Sequence, residues 1–216
     1  MTTNREVFDQ IAESWYRVRH WPLLRKELED LAAIWQSGKL LNVGCAHGAD
    51  FLPFRQGFEL WGVDSSPVML KQALRYSHKF ELYVNLMAAD ALSLPFPDNT
   101  FDSAISVATY HHIKGTENRE RALIELRRVL KPQGEVFLTV WNHGQPRFWF
   151  KSKEQQVPWR LKETTVYRYY HVFYYAELRK LLTKTGWQVL AMLPEKSYHL
   201  LIKDFSRNIC ALAKKC

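Results

Sequence analysis

Residues 39–48 read Lys-Leu-Leu-Asn-Val-Gly-Cys-Ala-His-Gly, and Asp64 ends the next apolar run, 20 residues after Gly44. A short apolar strand followed by a glycine turn lets the backbone approach a ligand at the carboxyl end of the strand. An acid at the end of the following strand accepts hydrogen bonds from a ribose diol. Position 49, where a dinucleotide fingerprint has its third glycine, is alanine. The pattern therefore favours a nucleoside over a pyrophosphate.

Outward from this turn, short apolar runs alternate with segments of helical period, which is typical of β-α units that build a parallel sheet. We predict a doubly wound, mostly parallel seven-stranded sheet with helices on both faces, as one Rossmann-like α/β domain over residues 1–216. The N-terminal helices, within 1–36, are expected to cover the site as a lid. The predicted strands are 39–43, 60–63, 84–88, 103–107, 135–140, 187–192 and 208–213, and the predicted helices are 5–16, 23–35, 67–76, 117–130 and 174–185.

Composition sets the expected compartment. The three cysteines, at positions 45, 210 and 216, show no CxxC spacing, so neither a disulfide framework nor a zinc site of the chain's own is expected. No run approaches the ~20 apolar residues of a membrane span. We therefore expect a soluble, cytoplasmic protein without a bound metal.

The positive charge is unevenly distributed. The net charge is +8, and residues 145–216 carry 14 Lys and Arg against 5 Asp and Glu. Such a region can neutralise phosphates of an RNA, or it can be the ordinary surface of a basic protein. Aromatic residues interleave with the cations in Arg147–Lys151 and Arg168–His171, and rings of this kind can stack on unpaired bases. This favours the RNA interpretation for the basic last third.

A further series of motifs resembles the class I S-adenosylmethionine methyltransferases. It comprises Asp90-Ala91, the run Leu94-Pro95-Phe96-Pro97-Asp98, and Phe101-Asp102. The resemblance implies that Asp64 binds the ribose and that Asp90 binds the adenine amino group. The remaining cofactor candidates are Gly44, Cys45, Ala46, Gly48, Ser65, Ala91 and Arg19. The alternative is that these residues only form the turns and helix caps of a Rossmann-like fold and bind no cofactor.

Motifs after residue 105 resemble a narrower family, the tRNA wobble-uridine carboxymethyl methyltransferases. They are His111-His112, Val140-Trp141 and Arg168-Tyr169-Tyr170-His171-Val172-Phe173, together with the opening Phe8-Asp9-Gln10-Ile11-Ala12 and Trp21-Pro22. The family converts a 5-carboxymethyl group to its methyl ester, so the implied partner is tRNA. It also pairs with a small zinc-binding activator subunit that adds a strand to the sheet. Residues 82–88 carry no charge, and we expect them to form the receiving edge.

The resemblance also suggests roles at the substrate site. A carboxylate needs no general base, so His111, His112 and Arg119, together with Arg19, are expected to position it by hydrogen bonds or charge. Trp141, Tyr169 and Tyr170 could stack on the base, and Arg147, Arg168 and His171 could bind RNA. Each ring could equally be a packing residue. Metal binding by the adjacent histidines is not expected.

Two other functions share parts of this pattern. A small-molecule methyltransferase of the quinone or sterol type has the same cofactor motifs, although apolar substrates leave the basic last third unexplained. A catalytically silent domain that binds RNA or a partner is the second alternative, and the intact Asp64 and Asp90 argue against it.

Overall fold

The computed structural model describes residues 3–216, which contain a seven-stranded sheet. The order of its strands is β3-β2-β1-β4-β5-β9-β8, and only β9 runs antiparallel to its neighbours. The strands are β1 (Gly38–Val43), β2 (Phe58–Asp64), β3 (Val84–Ala88), β4 (Phe101–Val107), β5 (Leu130–Trp141), β8 (Trp187–Pro194) and β9 (Asn208–Lys215). The predicted doubly wound sheet is thus confirmed, with β3 at one edge.

Helices cover both faces of this sheet, because successive residues of a strand point to opposite sides. Leu40 packs with residues of α2 and α3, whereas Leu41 and Val43 pack with residues of α4 and α5. Local signals start two of the helices: Thr3 and Glu6 form a capping box at α1, and Ser66 caps α3. The helices are α1 (Asn4–Val18), α2 (Arg25–Trp35), α3 (Pro67–Phe80), α4 (Thr116–Val129) and α5 (Tyr175–Lys184).

A second, two-stranded antiparallel sheet was not predicted from the sequence. It consists of β6 (Glu154–Arg160) and β7 (Thr165–His171). The Trp159 indole donates to Ser14 of α1 at 2.8 Å, and the Asn4 side chain pairs with both the N–H and the carbonyl of Tyr169 at 2.8 and 3.0 Å. The hairpin and the N-terminal helix therefore support each other over the carboxyl ends of the strands.

Other boundaries differ by a few residues. The strand predicted at 135–140 begins earlier, at Leu130 directly after α4, and its register shifts opposite Phe101 and Ser103. Within residues 3–216, no helix is long and apolar enough to cross a membrane.

Candidate cofactor and substrate site

A cavity of about 550 Å³ lies where β1, β2 and β4 end, beneath residues of α1. This volume falls within the range of small-molecule sites. Most of the cofactor residues predicted from the sequence line it, namely Arg19, Gly44, Cys45, Ala46, Asp64, Ser65, Asp90 and Ala91. The strand ends thus bring together residues that are far apart in the chain.

The turn after β1 can hold a ligand because it presents backbone. Gly44 has φ +75°, and a Cβ there would lie 2.2 Å from the Thr109 side chain. Ala46 also has positive φ, and its N–H donates to the Asp64 carboxylate at 2.9 Å. A side chain at position 44 would therefore both strain the turn and collide with the loop after β4.

Asp64 and Asp90 keep acceptor capacity that faces the cavity. The Asp64 oxygens each accept one backbone N–H, from Ala46 and Ser66 at 2.9 Å, and burial raises the pKa of Asp64 to about 6. A carboxylate has about four lone-pair sites, so this acid can still accept from a ribose diol. One Asp90 oxygen accepts the Leu92 N–H at 2.9 Å. These groups fit the nucleoside part of S-adenosylmethionine.

Sequence reasoning missed two cavity residues in the turn after β1. Burial lowers the pKa of His47 to about 4, and it raises the pKa of Asp50 to about 7 against the opposing influence of Arg19. The Asp50 carboxylate can accept hydrogen bonds from a cationic group of a ligand. The position of Asp50, two residues after Gly48, could have suggested a role in the site. Its place in the cavity, however, depends on the short helix Ala49–Phe54, which was not predicted.

A recess of the same cavity is lined by Tyr170 together with predicted substrate residues. The Tyr170 ring stacks on Trp141 at 4.3 Å and on His111 at 4.7 Å, and it meets His112 edge-on at 4.2 Å. All four side chains line the cavity. The recess therefore offers ring surface beside the cofactor residues.

Both histidines are neutral at pH 7. Burial lowers the pKa of His111 well below its usual range and that of His112 to about 3. His111 accepts the Trp141 N–H on Nδ1 at 3.2 Å, so its proton sits on Nε2. His112 donates from Nδ1 to the Tyr169 carbonyl at 3.0 Å, so its Nε2 is an acceptor. The pair can orient a substrate by hydrogen bonds but brings no positive charge.

Two residues predicted to bind the cofactor or to position the substrate, Gly48 and Arg119, lie outside the cavity lining. Gly48, at φ +87°, begins the short helix that carries Asp50. Arg119 is 3% exposed, and its guanidinium donates to the Ile113 carbonyl at 2.9 Å and to the Thr116 hydroxyl at 3.2 Å. Arg119 therefore holds the loop after β4, and its role in positioning the substrate stays a prediction.

Four residues predicted to bind substrate or RNA, namely Arg147, Arg168, Tyr169 and His171, also lie outside the cavity lining. Arg147 rests on Trp141 at 4.4 Å and Arg168 on Tyr170 at 5.3 Å. Tyr169 joins β7 to α1 through its backbone. His171 is buried between Glu154, 2.7 Å from Nδ1, and Glu177, 2.9 Å from Nε2. Since carboxylates only accept, both contacts are hydrogen bonds when His171 is doubly protonated, which makes it a tie between β6, β7 and α5.

Comparison with known proteins agrees with this architecture. Residues 41–138 match the methyltransferase domain family. A putative methyltransferase of Encephalitozoon cuniculi is 34% identical over 187 residues, which cover 81% of this chain and 80% of that protein. A tRNA (carboxymethyluridine(34)-5-O)-methyltransferase of Schizosaccharomyces pombe is 27% identical over 212 residues, covering 86% and 88%. The chain spans 28% to 32% of the length of three longer relatives.

The solved structure of the CcbJ methyltransferase of Streptomyces caelestis has a TM-score of 0.78 to this chain, with 17% identity and coverage of 99% and 98%. The reversed strand β9, the glycine turn and the two acids at strand ends define a Rossmann-like nucleoside-cofactor fold of class I. The chain belongs to the S-adenosylmethionine-dependent methyltransferase family. Its cofactor is S-adenosylmethionine.

Proposed function

We propose that this methyltransferase forms the methyl ester of a 5-carboxymethyl group on the wobble uridine of tRNA. The observation that carries the proposal is the ring-lined recess of Tyr170, Trp141 and the two histidines, which opens directly from the cofactor residues. A base splayed from an anticodon loop needs such a stacking surface. The activity named for the fission yeast relative supports the same substrate.

The chemistry requires positioning more than proton transfer. When bound, S-adenosylmethionine supplies a sulfonium methyl group: one carboxylate oxygen gains the methyl, the sulfur becomes a neutral thioether, and no proton is released. A carboxylic acid with a pKa of ~4 is already ionised at pH 7, so the chain supplies no base. Orientation alone can contribute ~7–11 kcal/mol. The two neutral histidines orient the substrate by hydrogen bonds, His111 as a donor and His112 as an acceptor.

Two further parts of the chain are assigned a role in methylation of tRNA. We propose that the N-terminal helices, within residues 1–36, close the site, since Phe8, Trp15 and Arg19 line the cavity from above. We also propose that the basic last third faces the RNA. Lys151, Lys180 and Lys203 are exposed there and make no ion pair with any residue in 3–216.

We propose further that a small zinc-binding activator subunit pairs with β3. Support comes from the family resemblance and from the position of this strand at the sheet edge. Tyr83 is 95% exposed beside it, and Met87 is exposed within it. Uncharged, uncovered edges of this kind invite strand addition.

The test is methylation of tRNA carrying 5-carboxymethyluridine by the purified chain, alone and co-expressed with the activator, with mass spectrometry of the released nucleosides. The expected product is the methyl ester, and Asp64→Ala should lower its yield when S-adenosylmethionine is limiting. Transfer to a quinone or sterol but not to tRNA would establish the small-molecule alternative. Cofactor binding without transfer to any of these substrates would indicate a silent domain.

A further inference from the structure

Arg168 is a buried cation without a polar partner. Its side chain lies on β7 and is 5% exposed, and Nε is fully buried with no hydrogen bond. Among residues 3–216, no carboxylate lies within ion-pair distance of this guanidinium, and no other atom of it is hydrogen-bonded. A buried charge left in this state is strongly unfavourable unless something else compensates it.

The two rings beside Arg168 orient the guanidinium but do not satisfy it. Its central carbon lies 4.9 Å from the Trp159 ring centre and 5.3 Å from that of Tyr170. Ring faces attract a cation, but the five N–H donors of a guanidinium point outward in its own plane. Stacking therefore leaves the donors of the Arg168 guanidinium free beside Tyr170, a ring that lines the recess.

Two more arginines also lie over rings; Arg19 is half-buried and Arg147 is exposed. Arg19 rests on Trp15 at 4.8 Å and Arg147 on Trp141 at 4.4 Å. Neither makes an ion pair or a side-chain hydrogen bond with the described part of the chain. The rings are themselves in contact, since Trp15 lies 5.3 Å from Trp159 and Trp141 lies 4.3 Å from Tyr170. Three guanidiniums thus converge around one group of rings.

The charged groups around Arg168, Arg19 and Arg147 do not neutralise these three arginines. Burial lowers the pKa of Arg168, while nearby Tyr170 raises it and nearby Arg19 lowers it further. Burial also lowers the pKa of Arg147, to which Arg207 adds. The acid that faces Arg19 is Asp50, on the cofactor side of the cavity. The two acids near β7, Glu154 and Glu177, are held by His171. An anionic ligand is the missing counterpart.

We propose that Arg168, assisted by Arg19 and Arg147, binds the carboxylate of the substrate. A carboxylate presents two oxygens in one plane, which match a guanidinium fork in a bidentate pair. This rests on the proposed function and assigns to Arg168 a role in positioning the carboxylate that was predicted for Arg119. It also explains product release, because methylation removes the negative charge that the arginines recognise.

The test measures recognition of charge separately from catalysis. Protein saturated with S-adenosylhomocysteine is titrated calorimetrically with 5-carboxymethyluridine nucleoside, with its methyl ester and with its amide. The wild type should bind the acid at least about tenfold more tightly than either neutral form. Arg168→Met should bring this ratio close to one, with the affinity for S-adenosylhomocysteine unchanged. Arg121→Met, at an exposed arginine of α4, is the matched control and should leave the ratio intact.

Thermal stability gives a second readout. Arg168→Met replaces an unpaired buried charge by an apolar chain of similar length, so its melting temperature should rise. Arg168→Lys keeps the charge but loses the fork, and it should bind the acid with intermediate preference. A lower melting temperature with an unchanged acid-to-ester ratio would show a structural role and overturn the proposal.

Titration with small anions distinguishes a failure of this proposal from a failure of the proposed function. If the nucleosides do not bind but acetate does, and Arg168→Met removes acetate binding, the carboxylate site stands and the uridine assignment fails. If inorganic phosphate binds more tightly than acetate, the arginines hold an RNA phosphate and the carboxylate proposal is wrong. Equal binding of acid and ester by the wild type also overturns it.

Discussion

Asp64 connects the turn after β1 to the end of β2, and its remaining lone pairs face the cavity. Asp64→Ala should weaken S-adenosylmethionine binding by about 1.5–3 kcal/mol, the usual value for hydrogen bonds to a charged acceptor. Isothermal calorimetry measures the change, and circular dichroism checks that the variant is folded. Glu117→Ala, at an exposed acid in the first turn of α4, is the control. Unchanged affinity in a folded Asp64→Ala variant would contradict the ribose assignment.

The raised pKa of Asp64 predicts a pH dependence of cofactor binding. Ribose hydroxyls donate to the ionised carboxylate, so binding lowers this pKa from about 6 in the free protein. The affinity is therefore fully present above that pKa and falls as the pH drops to 5, by up to about tenfold. Calorimetry from pH 5 to 8 should show this fall below pH 6 in the wild type and a smaller fall in Asp64→Asn, in which only Asp50 still titrates in this range.

Asp50→Asn is the control for this profile, because burial raises the pKa of Asp50 to about 7. That variant should keep the loss of affinity below pH 6. A wild-type profile that is flat down to pH 5 would contradict the role given to Asp64.

At the residue scale, local spacing predicts groups whose position follows from a strand end. Gly44, Asp64 and Asp90 each follow a strand and line the cavity as expected. Arg119 could not be placed in this way, since its spacing on α4 does not show that its side chain turns back to Ile113. The neutral state of His111 and His112 could not be predicted either. It results from burial, which lowers their pKa values, and burial is a property of the folded chain.

At the element scale, the β3 edge carries a prediction about assembly. Asn85→Lys places a charge on this edge and should disturb pairing with the activator more than it disturbs the isolated fold. The measurement is co-expression followed by gel filtration and a melting curve of the isolated chain. Ile124→Lys, at a 53% exposed position on α4, is the matched control and should leave the complex intact. A fully active wild-type monomer would refute the partner.

The sequence predicted the sheet well but not the hairpin of β6 and β7. Strands buried on both faces appear as continuous apolar runs, which are easy to recognise. Strand β6 instead alternates exposed and half-buried residues and contains Pro158, a residue that usually argues against a strand. Its stability comes from contacts such as that of Trp159 with Ser14, 145 residues away, and no local pattern shows them.

For the whole molecule, the concentration of cations in the last third predicts salt-sensitive tRNA binding. The logarithm of affinity should fall linearly with the logarithm of salt, by about 0.7–0.9 per phosphate contact. Replacing Lys151 and Lys203 by Gln should reduce the slope by that amount for each lost contact. Replacing Lys26 and Lys71, which are exposed but precede the basic region, should leave it unchanged. A flat salt response in the wild type would favour a small-molecule substrate.

The contact between Asn4 and Tyr169 joins residues 165 positions apart, and it sets an order of events on the ribosome. α1 is made first and can dock on α3 once residue 80 has emerged, through Asp9 and Ser66. The hairpin follows about 90 residues later, which at 5–20 residues per second is a delay of roughly 5–18 s. During that interval β3, β4 and β5 are made and extend the sheet beneath the site, while α1 covers the site without the hairpin. S-adenosylmethionine can therefore be enclosed only after residue 171 has emerged, when the hairpin can join α1.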